Sequence, residues 1–140
     1  MACGLGPSFP GARQPFVVNY GPMHVEIRKA GDVVIVDLSG KLTSGLGDQI
    51  LHDTIDELLA ENWKKILLNL SGVSFIDSAG VGELVAGLRT AQRLGANLKL
   101  LNAGERVQST LYIAKLLPIF ELYSEEREAI ARFGVSGTVH

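Results

Sequence analysis

The stretch ILLNLSGVSFIDSAGVGELVAGLRTAQRLGANLKLLNA, residues 66–103, changes its hydrophobic period twice and so decides the fold class. Residues 66–70 are apolar on both faces but for Asn69, as expected of a strand buried in a sheet that helices cover. From there Val81, Leu84, Val85, Leu88 and Ala91 recur at the spacing of an amphipathic helix, which stops at Leu94-Gly95. Residues 97–103, NLKLLNA, return to a strand. Strand, helix and strand in direct succession imply parallel strands joined by a crossover.

The flanks continue the alternation. In MHVEIRKAGDVVIVDLSG, residues 23–40, Val25 and Ile27 alternate with polar residues, a turn follows at Ala30-Gly31-Asp32, and a β-branched run leads to Leu38. This predicts a hairpin with a half-exposed outer strand and a more buried inner one. Residues 44–63 place Leu51, Ile55, Leu58 and Leu59 on one helical face, with Asp48 near the positive helix end. ERVQSTLYIAKLL (105–117) predicts a helix stopped by Pro118, IFELY (119–123) a short strand, and SEEREAIARF (124–133) a last helix with Ser124 as N-cap. Trp63, just before a strand, reads as packing.

The expected architecture is therefore a single α/β domain over residues 23–140. Its mixed sheet has about five strands, mostly parallel with an antiparallel outer N-terminal strand, packed with about four helices. Residues 1–22, rich in glycine and proline, follow neither period and read as a flexible tail, within which Phe16-Val17-Val18 offers an edge strand.

With 140 residues, 46% of them hydrophobic, the chain can bury a core without a metal or disulfide staple. A net charge of -2 lacks the basic footprint of nucleic-acid binding. Cys3 is the only cysteine, so no intramolecular disulfide forms and a reducing compartment is expected. No apolar run approaches the roughly 18 residues of a membrane span, and the N-terminus lacks a secretion signal, so the expected location is the cytoplasm.

Function in such sheets gathers where strands hand over to helices, and there the sequence sets Asp77, Ser78, Ala79, Gly80 and Gly82. A serine nucleophile would need glycine where Ile76 stands, and an acid and a histidine downstream. After Ser78 come only the terminal His140 and no aspartate. Neither glycine-rich phosphate-cradling motif is present, GVGELV having Val85 in place of the third glycine. The histidines are too scattered for a metal site, and no cofactor is expected. Two readings remain for the serine. Asp77 or Ser78 caps the helix, or the Ser78 hydroxyl itself receives a phosphate, adding about -1.5 to -2 charge beside a helix end that tolerates it. Capping alone leaves Gly80 and Gly82 unexplained, since each costs about 1 kcal/mol within a helix; they suggest a close approach to the backbone.

The same residues, with GERVQSTLYIAKLLPIFELYSEEREAI after them, resemble the STAS domain over roughly residues 23–133. That resemblance implies a non-enzymatic anti-sigma factor antagonist. In that role, Ser78 is phosphorylated by an anti-sigma factor that is also a serine kinase of the histidine-kinase-like ATPase fold. The unphosphorylated form binds that factor, and a phosphatase resets the switch. Asp77, Ala79, Gly80, Gly82 and Glu83, with Thr43 and Ser44 in a neighbouring loop, make up the implied partner surface. The chain departs from the family pattern where Thr43 replaces an acid at the end of GKLT, where Asn69 replaces a strand aspartate, and where Ala79 replaces a second serine. The alternative role that the family implies is an accessory or scaffold subunit of a signalling assembly or lipid-transport ATPase, binding its partner constitutively.

Overall fold

The structure, a computed structural model, describes residues 16–20 and 23–139, and the side chains of residues 23–133. Most of the expected tail lies outside the described residues. Phe16–Tyr20 instead form a strand, β1, as Phe16-Val17-Val18 had offered. The sheet consequently has six strands: β1, β2 (Met23–Ala30), β3 (Val33–Leu42), β4 (Lys65–Ile76), β5 (Asn97–Leu101) and β6 (Leu122–Tyr123), lying side by side in chain order. β1, β2 and β3 pair antiparallel, and β3 to β6 pair parallel. Each parallel step is made through a helix: α1 (Gly47–Ala60), α2 (Ser78–Arg93) and α3 (Glu105–Ile113). The chain ends in α4 (Glu126–Val139), longer than the sequence pattern suggested.

Two cores follow from strand alternation. On one sheet face, Val34, Val36, Leu38, Ile66, Leu68 and Leu70 bury against α1, α2 and α3. On the other, Val33, Ile35, Leu67 and Leu101 bury against Ala129 and Phe133 of α4, with the half-buried Ile130, Ala30 and Tyr123 at the edge. Trp63 packs against the larger core as expected, with Lys29 Nζ 5.4 Å from its ring centre.

Local details depart from the pattern in interpretable ways. β3 continues past Leu38 to Leu42, because Gly40 at φ +113 absorbs a register irregularity with β4. The GKLT segment is thus mainly strand, with the turn starting at Thr43. The hairpin turn lies where expected, with Gly31 at φ +64. Ser124 stands too early to cap α4: the Glu125 carbonyl accepts the first helical bond, from Ala129 N–H. α2 ends with Gly95 in the left-handed region at φ +76, as its sequence predicted.

Candidate functional site

The site is built where β3 and β4 end. Leu42 pairs with Ile76, and the Leu42 carbonyl accepts from Asp77 N–H at 3.3 Å. The two helices that follow these strands press their first turns onto consecutive β3 carbonyls. A Cβ on Gly47 would lie 2.4 Å from the Lys41 oxygen, and one on Gly80 would lie 2.2 Å from the Leu42 oxygen. Only glycine permits this approach.

Asp77 is the N-cap of α2, with an extended backbone. Its Oδ1 accepts from Gly80 N–H at 3.0 Å and its Oδ2 from Ser44 N–H at 3.1 Å. Bonds from Gly80 and Ser44, in that order, hold its carboxyl below the usual carboxylate range. One carboxylate therefore caps α2 and ties down the loop before α1. The open question about the serine is thereby answered in part: the cap is Asp77. Ser78 is the first helical residue, exposed, and its hydroxyl has no hydrogen-bond partner among the described residues.

The structure brings Thr43, Ser44, Asp77 and Ser78 together. Thr43 is half-buried, and its carbonyl accepts from Asp48 N–H at 2.9 Å, starting α1. Ala79 is half-buried. The two glycines have different tasks. Gly80 is buried and serves the contact with β3, so the backbone that approaches it belongs to this chain and not to a partner. Gly82 is exposed, with open space where a Cβ would stand.

Glu83 is not a free acid. Its Oε1 lies 3.1 Å from Nδ1 of His52 on α1, whose Nε2 meets Asp56 at 3.1 Å. The bond to Glu83, with Asp56 and Asp53 nearby, raises the His52 pKa against a smaller opposing effect of burial. His52 and Glu83 are 31 residues apart, and nothing in the sequence marks them as a pair.

Asn69 does not belong to this site. Its Nδ2 donates to Asp37 Oδ1 at 2.8 Å, and Asp37 is bidentate with Arg28, which also reaches Glu126 of α4. Burial alone would raise the Asp37 pKa; bonds from Arg28 and Asn69 outweigh it and lower it. An amide at position 69 thus serves the α4 side of the sheet and says nothing about Ser78. No group of three His, Cys, Asp or Glu among the described residues is placed to hold a metal ion. No helix among them is long and apolar enough to cross a membrane.

Asp77→Ala removes the cap and the anchor of the Ser44 loop together. The expected loss is about 1 kcal/mol or slightly more in chemical denaturation. A loss below about 0.5 kcal/mol, the range of ordinary surface substitutions, would show the two bonds to be dispensable.

Fold and site together define an α/β module that presents an unbonded serine at a helix start, beside a loop latched to the preceding aspartate. The chain belongs to the STAS domain family, whose model matches residues 24–129. A Thermotoga neapolitana protein provisionally named an anti-sigma factor antagonist is 37% identical over 99 residues, covering 71% of this chain and 88% of that one. The anti-sigma F factor antagonist of Paenibacillus polymyxa is 23% identical over 113 residues, covering 81% and 97%. Among solved structures, the anti-sigma factor antagonist SpoIIAA in its unphosphorylated form superposes with a TM-score of 0.67 at 26% identity, covering 83% of this chain and 99% of that one.

Proposed function

We propose that this chain is an anti-sigma factor antagonist: a binding module, not an enzyme, that sequesters an anti-sigma factor and is released by phosphorylation of Ser78. The observation that carries the reading is the division of labour between neighbours. Asp77 does all the capping, with both carboxylate oxygens engaged, while the adjacent hydroxyl is exposed and unbonded. A serine with no structural duty at a helix start is available to a kinase. The relatives' names supply the class of partner.

The partner in this reading is an anti-sigma factor with serine kinase activity and a histidine-kinase-like ATPase fold, opposed by a phosphatase. A phosphate on Ser78 sits at the positive end of α2, so the domain stays folded. Any surface packed over that turn meets a dianion next to Asp77, and like charge or an unpaired buried charge there costs several kcal/mol.

The test is to incubate the purified chain with the ATPase-type anti-sigma factor of its own organism, with and without ATP and magnesium, and to map phosphate by mass spectrometry. Phosphate is expected on Ser78 only with ATP. Ser78→Ala should bind and stay unmodified, and Ser78→Asp should bind about 100-fold more weakly while melting as wild type does. Full binding by Ser78→Asp would instead identify a constitutive accessory or scaffold subunit.

A further inference from the structure

We propose that Leu46 and Phe75 are the apolar anchors of the Ser78 face, and that the anti-sigma factor grips them with an apolar patch of its own. This rests on reading that face as the partner-binding one. Both side chains are large and 41% exposed. Leu46 immediately precedes α1, at the end of the loop whose Ser44 N–H is bonded to Asp77. Phe75 stands three residues before Ser78 and pairs in register with Lys41. Its neighbour Ile76 is buried in the core under α1, α2 and α3, so strand alternation turns Phe75 toward the opposite face of the sheet. The two residues thus belong to the two segments that Asp77 joins, Leu46 to the loop before α1 and Phe75 to the end of β4.

The other large exposed apolar residues among those described lie elsewhere: Leu94 at the far end of α2, and Tyr112, Ile113 and Ile119 on α3 and the turn after it. The acids at the Ser78 face are already engaged, and the charge beside Phe75 is the exposed Lys41. The Asp77 carboxylate is held by two backbone N–H groups, and Glu83 is paired with His52. Apart from Lys41, what a partner has to bury there is apolar surface around a neutral hydroxyl. Binding energy in such surfaces concentrates in a few large side chains from which water is excluded. The same exclusion accounts for phosphate as an off-signal: a dianion on Ser78 would have to lose its hydration beneath a partner seated on Leu46 and Phe75. Affinity and switching then come from one arrangement.

The experiment is calorimetric titration of the ATPase-type anti-sigma factor of the same organism with wild type, Leu46→Ala, Phe75→Ala, the double variant and Ser78→Asp. Each single alanine is expected to weaken binding about 10-fold and the double about 100-fold, with a smaller negative heat-capacity change than wild type. Leu46→Met and Phe75→Leu, which keep the apolar area, should bind within about threefold of wild type, whereas Leu46→Gln and Phe75→Gln should not. That contrast separates lost contact from lost folding. A double alanine variant that binds like wild type, while Ser78→Asp fails, overturns the anchors and leaves the switch standing. A wild-type chain that binds no such factor overturns the switch reading and the anchors with it.

Discussion

Phe133→Ala is expected to destabilise the domain by about 3–5 kcal/mol, enough to lower its melting temperature by roughly 10–20 °C. Phe133 is fully buried in the smaller core, where Ala129 and the half-buried Ile130 join it from α4 against Val33, Ile35, Leu67 and Leu101. With so few neighbours, little can move in to refill the space. The ring also lies 5.0 Å from the Nζ of Lys99, an ammonium whose side chain is 1% exposed and whose other contacts are Glu121 and, at 5.8 Å, the ring of Tyr123. The Lys99 bond lowers the Glu121 pKa, while burial, then Glu121, push the Tyr123 hydroxyl up to about 12. Losing the Phe133 face removes a cation–π contact of about 0.5–2 kcal/mol and opens the ammonium to rearrangement. Arg28, by contrast, meets Glu126 of α4 with about a third of each side chain exposed, which makes the pair worth roughly 0–1 kcal/mol after solvent screening. Apolar burial and not the ion pair holds α4 in place. Glu126→Gln, which breaks only the α4 end of that network, should therefore cost far less than Phe133→Ala, and hydrogen exchange in the latter should quicken first in α4. A Phe133→Ala loss below 1 kcal/mol, or equal losses in the two variants, would contradict this.

Periodicity made the larger part of this fold legible, for a physical reason: each helix buries one stripe and each inner strand both faces. Of Val81, Leu84, Val85, Leu88 and Ala91, picked from spacing alone, all are buried except Val85, which is half-buried against the core. What spacing cannot express is contact between residues distant in the chain. The pairing of His52 with Glu83, the latch from Asp77 to Ser44 and the network joining Arg28, Asp37, Asn69 and Glu126 depend on how elements dock. Asn69 illustrates the limit. As a family position it marked only a departure from the pattern; in three dimensions it joins the network that reaches α4. The edge strand β1 was only weakly marked, because a five-residue strand bracketed by Pro15 and Pro22 gives little pattern to read.

Gly80→Ala tests whether the serine's position depends on packing behind it. Both glycines of the motif cost helix propensity, and the sequence offered one explanation for both, a close approach by something outside. The structure separates them. An alanine Cβ at position 80 would stand 2.2 Å from the Leu42 carbonyl oxygen, 2.8 Å from Cγ1 of Ile76 and 3.0 Å from Cγ of Leu42. Two of these are side-chain atoms able to shift, but the nearest is main chain and holds the hydrogen bond from Asp77 N–H. To fit the methyl group, the start of α2 must move off the end of β3, straining that bond and the latch to Ser44. Overpacking of this kind costs about 1–3 kcal/mol, and a backbone obstacle favours the upper end. At position 82 a Cβ meets nothing, so Gly82→Ala should gain about 0.5–1 kcal/mol from helix propensity and reduced unfolded-state entropy. The two variants thus shift stability in opposite directions in urea titrations. Their effects on anti-sigma factor binding should differ in kind as well. Gly80→Ala displaces Ser78 and its loop from behind, weakening binding through a distorted surface, whereas Gly82→Ala leaves the surface in place and adds a methyl group to it. If Gly82→Ala is more stable yet binds worse, the partner reaches the α2 backbone at Gly82. If it is more stable and binds equally well, the contact lies on the Leu46, Ser78 and Phe75 side of the helix start. A stable, fully binding Gly80→Ala would show that the end of β3 yields at little cost, and that Asp77 positions Ser78 without help from the packing beneath it.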